Sequence, residues 1–107
     1  MRVLIDECVP RRILGHLPGH DVHTVPDMGW SGKKDGELLR LMSGQGFEAL
    51  VAVDRGIQRQ QNLQATGVAA IVLVATSNRL ANLVPLMPAA LTALGTMMPG
   101  DVVELTV

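Results

Sequence analysis

The sequence predicts an α/β fold, a three-layer α/β/α sandwich around a mostly parallel sheet of four or five strands. Two patterns lead there. Short apolar runs rich in β-branched residues alternate with helix-like stretches along the chain, as in successive βαβ units. The runs are continuously apolar, as in strands covered on both faces. Size adds a third constraint: 107 residues make one domain spanning 1–107, because two halves would each be too small for a core.

The elements follow in order. Val3 to Ile5 is the first strand. Pro10 opens a helix through Leu17, since a proline at the first helical position gives up no needed donor. Asp21 to Val25 is the second strand. Asp35 heads a helix with Leu38, Leu39, Leu41 and Met42 on one side, stopped by Gly44 and Gly46. Ala49 to Val53 is the third strand, and Ile57 to Leu63 a further short helix. Val68 to Ala75 is the fourth strand. Ser77 or Asn78 caps a long helix with Leu80, Leu83, Val84, Met87, Leu91 and Leu94 on its apolar side. Pro85 and Pro88 kink or split it. Val102 to Val107 is more mixed in polarity and reads as a fifth strand at an edge.

Composition removes several function classes. Hydrophobic residues are 48% and charged residues 18%, too apolar for a disordered chain. A net charge of −1 and an aromatic content of 2% argue against a strongly basic or base-stacking nucleic-acid binder. One cysteine, Cys8, excludes an intrachain disulfide and a cysteine zinc site. His16, His20 and His23 have no zinc-finger spacing and read as surface residues of a loop-rich stretch. The run Val68 to Ala75 is too short to span a bilayer, and the acidic turn after Ile5 is unlike a signal peptide. A cytoplasmic protein without a membrane role is the expectation.

Ligands of open parallel sheets bind at the carboxyl ends of the strands. Asp6 and Glu7 follow strand one, Asp54 and Arg55 follow strand three, and Thr76, Ser77 and Asn78 follow strand four. Asp35 and Glu37 open the helix that leads into strand three, so they start at the same edge. Asp35 is open to two readings, helix cap or metal ligand, and Glu37 to dipole partner or ligand. Clustered carboxylates repel one another unless a cation neutralises them, and Mg²⁺ or Mn²⁺ prefers such oxygens. A metal held there activates water and offsets charge on a phosphate. Seven of the nine basic residues (Arg11, Arg12, Lys33, Lys34, Arg55, Arg59 and Arg79) lie within a few residues of these ends, which suits a polyanionic substrate. Ser77 and Asn78 are open to helix capping or substrate contact.

The runs Leu4-Ile5-Asp6-Glu7-Cys8-Val9-Pro10, Gly29-Trp30-Ser31-Gly32-Lys33-Lys34-Asp35-Gly36-Glu37-Leu38-Leu39, Val53-Asp54-Arg55 and Gln60-Gln61-Asn62-Leu63 together resemble the small bacterial PIN-like proteins, in the same order over essentially the whole chain. That family looks like a trimmed relative of the PIN-domain ribonucleases, many of them toxins of toxin–antitoxin pairs. The resemblance implies Mg²⁺- or Mn²⁺-dependent cleavage of RNA. By position Asp6 looks like the first PIN acid and Asp54 the third, with the second at Asp35 or Glu37 and Asp35 favoured. Glu7 and Glu37 are further candidate metal ligands. Arg11, Arg55, Arg79, Ser77 and Asn78 are candidate substrate contacts. An antitoxin partner and a homodimer are implied as well. The chain departs from the PIN pattern at Ala52, where a small hydroxyl residue is common, and after Asp54, where no acid follows until Asp101.

Two other readings compete. A receiver-like phosphoacceptor would use Asp6, Glu7, Asp54 and Thr76 or Ser77, but needs a lysine after strand five, and no lysine follows Lys34. A catalytically silent interaction module would use the Pro- and Met-rich stretch from Leu83 to Pro99 as a partner surface.

Overall fold

The computed structural model describes residues 1–53 and 66–106, and of Asp35 the backbone alone. Among the described residues five strands form one all-parallel sheet: β1 (Arg2–Ile5), β2 (Asp21–Thr24), β3 (Ala49–Val53), β4 (Ala69–Val74) and β5 (Val102–Thr106). Their spatial order is β2-β1-β3-β4-β5. Every strand pair is parallel, with Ile5 opposite both Thr24 and Val51, and Leu73 opposite both Val53 and Leu105. The fifth strand is at the edge, as its mixed polarity predicts.

Continuous apolar runs supply both faces of the sheet. Val3, Ile5, Ala49, Val51, Ala69, Ile71 and Leu73 face one way. A 3₁₀ helix (Arg11–His16), α2 (Leu80–Leu83), a short 3₁₀ turn (Val84–Leu86) and α3 (Met87–Thr96) cover that side, burying Ile13, Leu17, Leu83, Leu86, Met87, Ala90 and Leu94. Leu4, Leu50, Ala52 and Ala70 face the other way, against Leu38, Leu39 and Met42 of α1 (Asp35–Gly44) and against Phe47. The connections β1–β2 and β4–β5 cross the same face in opposite directions, so they have opposite hands.

Some elements differ from expectation. The segment after Pro10 is 3₁₀ rather than α. Pro18 and the left-handed Gly19 (φ 83°) end it after six residues, and short helical pieces favour the tighter winding. Lys34, not Asp35, is the N-cap of α1, and Asp35 is its first helical residue. Arg79, not Ser77 or Asn78, is the N-cap of α2. The long helix is split where prolines demand it, with Pro85 in the 3₁₀ turn and Pro88 in the first turn of α3. The expected helix Ile57 to Leu63 lies outside the described residues.

The end of α1 follows local chemistry. Gly46 takes a left-handed φ of 77°. Its N–H donates to Ser43 O (3.3 Å), and the Phe47 N–H donates to Met42 O (2.9 Å). This is the Schellman closure, with Phe47 packed beside Met42 in the core. The histidines are not confined to loops. His23 lies in β2, 2.8 Å from Asp21 and edge-on to Phe47, because a strand residue opposite Leu4 faces the α1 side.

Candidate active site

The chain leaves β1 for β2 on one side, then crosses over to β3 on the other. The crossover point lies between β1 and β3, where open α/β sheets hold their ligands at the carboxyl end. Asp6 is the residue immediately after β1 at this point. Its N–H donates to Val51 O of β3 (2.9 Å), while Ile5 O accepts from Val25 N–H on the β2 side (2.9 Å). The backbone beside Asp6 is thus gripped from both neighbouring strands. Its side chain is only 4% exposed, in a fold whose other buried polar residue among those described is Thr24. Continuing the alternation of β1 turns Asp6 toward the α1 face. Glu7, the next residue, is exposed.

Loops from other strands crowd this edge. After β4, Asn78 Nδ2 donates to Cys8 O (3.0 Å), two residues beyond Asp6. Since β3 separates β1 from β4, that bond links the loops of two strands that are not neighbours in the sheet. Ser77 Oγ donates to Asn82 Oδ1 (2.8 Å) and accepts from Arg79 N–H (3.2 Å), and Asn82 Nδ2 donates to Thr76 Oγ1 (3.1 Å). Ser77 therefore organises the entry to α2 without being its cap. Beyond it, Val74, Ala75, Thr76, Asn82 and Thr106 line an open cleft of about 390 Å³.

The charges at this edge are partly paired. Arg11 Nη2 lies 3.1 Å from Asp27 Oδ2. Lys33 Nζ lies 3.4 Å from Glu37 Oε1, one helical turn along. Arg12, Lys34 and Arg79 are exposed and make no ion pair with a described residue. Asp27 escaped the sequence reading, because it follows Pro26 in a turn instead of ending an apolar run. The Thr24 side chain, then Arg11, hold its carboxyl below the ordinary value by hydrogen bonding.

A family profile described as a PIN-like domain matches residues 1–77. The chain belongs to the PIN-like domain family. No curated protein and no solved structure matches it. The PIN-like match ends at Ser77, so α2, α3 and β5 lie beyond it. Membership brings a nuclease-type α/β fold, in agreement with the five-stranded parallel sheet. No helix among the described residues is long and apolar enough to cross a membrane.

The PIN-like fold brings Asp6, Ser77, Asn78, Arg11 and the start of α1 to one edge of the sheet. Asp54 and Arg55 lie outside the described residues, as does the Asp35 side chain. Among the described residues no group of three His, Cys, Asp or Glu side chains is placed to hold a metal ion. Asp6 by itself fits a hard cation in chemistry: it is a carboxylate, nearly fully buried, at the ligand edge.

Proposed function

We propose that this PIN-like protein is a metal-dependent endoribonuclease that hydrolyses RNA phosphodiester bonds at the carboxyl edge of its sheet. The observation that carries the reading is Asp6: a nearly fully buried acid between β1 and β3, with Asp54 next in the chain after β3. A carboxylate that serves only solubility has no reason to be buried there. Asp6, Asp35 and Asp54 would hold Mg²⁺ or Mn²⁺, with Glu7 and Glu37 as further candidates. The bound cation would supply an activated water and offset charge on the phosphate. Arg11 and Arg79, with the neighbouring Arg12 and with Arg55, suit contacts to the phosphate backbone, which position a nucleic acid without reading its sequence. Ser77 and Asn78 support the loop that presents Arg79. The resemblance to small bacterial PIN-like proteins extends the reading to a toxin with a protein antitoxin as partner and a homodimeric state.

The test is Mn²⁺ calorimetry together with cleavage of end-labelled RNA, on wild type, Asp6→Asn and Asp54→Asn. Wild type is expected to bind Mn²⁺ and to cleave RNA in a reaction stopped by EDTA. Each variant is expected to lose at least the ten- to hundredfold in affinity, roughly, that follows loss of a ligand's supporting contact. Metal binding without cleavage of any RNA would favour the silent interaction module. Cleavage that survives in both variants would remove the acids from the mechanism.

A further inference from the structure

Arg11 begins the 3₁₀ helix after β1, and Asp27 sits in the turn after β2. One carboxylate oxygen of Asp27 faces two guanidinium nitrogens, Nη2 at 3.1 Å and Nε at 3.2 Å. The pair ties the 3₁₀ helix to the turn after β2, whereas Lys33, just ahead of α1, pairs locally with Glu37 in its first turn. Asp27 is held in place by its own turn. Its N–H donates to Thr24 Oγ1 (3.1 Å), and Thr24 is 4% exposed. Met28 N–H donates to Thr24 O, and Gly29 N–H to Pro26 O. The side chain of Arg11 remains 72% exposed, so its charge is open to solvent-borne ligands.

Carboxylate and phosphate oxygens occupy the same fork of a guanidinium. We propose that Asp27 fills the phosphate position of Arg11 in the free protein, so that an RNA backbone phosphate displaces it, and that Asp27 thereby sets the affinity and salt dependence of RNA binding. The inference rests on the ribonuclease reading and names a regulator of that same site. Exposed pairs are weak, which suits displacement: such a pair resists exchange by only about two- to fivefold in affinity.

The experiment is fluorescence anisotropy of a labelled single-stranded RNA in EDTA, where cleavage is absent, over a salt series. The proteins are wild type, Asp27→Asn, Arg11→Gln and the double variant, each checked for native circular dichroism. Asp27→Asn is expected to bind about two- to fivefold tighter than wild type. Its log–log salt slope is expected to steepen by up to about 0.7, because the phosphate then pairs with Arg11 without breaking an existing ion pair. The gain of Asp27→Asn over wild type should exceed that of the double variant over Arg11→Gln. Equal gains would mean a general charge effect and would overturn the proposal. Binding by wild type that Asp27→Asn leaves unchanged overturns the proposal alone. Absence of RNA binding by all four proteins overturns this proposal, whereas the ribonuclease reading stands or falls on the separate Mn²⁺-dependent cleavage assay.

Discussion

Asn78 holds a backbone carbonyl that belongs to a different strand's loop, two residues beyond Asp6. Removing its amide with Asn78→Ala should cost stability at the low end of about 0.5–1.5 kcal/mol, because the bond is exposed; urea denaturation reads it. Mn²⁺ affinity should fall in the same variant, since the loop carrying Asp6 loses its brace. Asp27 makes a second prediction. Its carboxyl is held below the ordinary value, so its contribution to stability is complete above the unfolded pKa and disappears as pH falls through the folded one. The stability gap between wild type and Asp27→Asn should therefore be flat near neutrality and close below about pH 4 in urea titrations. Asp6 was legible in the sequence because an acid directly after an apolar run has no local purpose. The role of Asn78 was not, because its bond depends on which strands are neighbours. Asp27 was hidden for the same reason, its partner Arg11 lying 16 residues away.

At the scale of elements, the two glycines that end α1 should respond in opposite directions. Gly46 has a φ of 77°, so Gly46→Ala should cost about 1–2 kcal/mol, although its Cβ would meet nothing within 4 Å. Gly44 is helical and equally open, so Gly44→Ala should gain about 0.5–1 kcal/mol. Urea midpoints of the two variants on either side of wild type would confirm the closure. The helices after β4 have a different task. Truncation after Ser77, where the family match stops, would strip Leu83, Leu86, Met87, Ala90 and Leu94 from the sheet and uncover Val51, Ile71 and Leu73. The truncated chain should bind a hydrophobic dye strongly and lose soluble yield. The split of the second long helix was readable from Pro85 and Pro88, whose chemistry is local. The winding of Arg11–His16 was not, because an apolar spacing compatible with either helix type left Pro18 and Gly19 to decide it.

At the scale of the molecule, five continuous apolar runs announce a covered parallel sheet but carry no record of neighbours. The order β2-β1-β3-β4-β5, and with it the site between β1 and β3, comes from chain connections rather than from strand composition. That order also determines where each strand can pair as the chain emerges from a ribosome. β1 leaves first and waits for β2 at one flank. After that, β3, β4 and β5 each join the same advancing margin, in the sequence in which they are made. Each strand in turn is the open border of an unfinished sheet, exposing unpaired backbone until the next arrives. The acid-bearing end of β1 gains its β3 neighbour before the covering helices α2 and α3 have emerged. The nascent chain therefore passes through a stage in which the candidate catalytic edge is framed while one broad apolar face is still uncovered. That interval is when a chaperone would be needed most, and it closes only once Leu94 has cleared the exit tunnel.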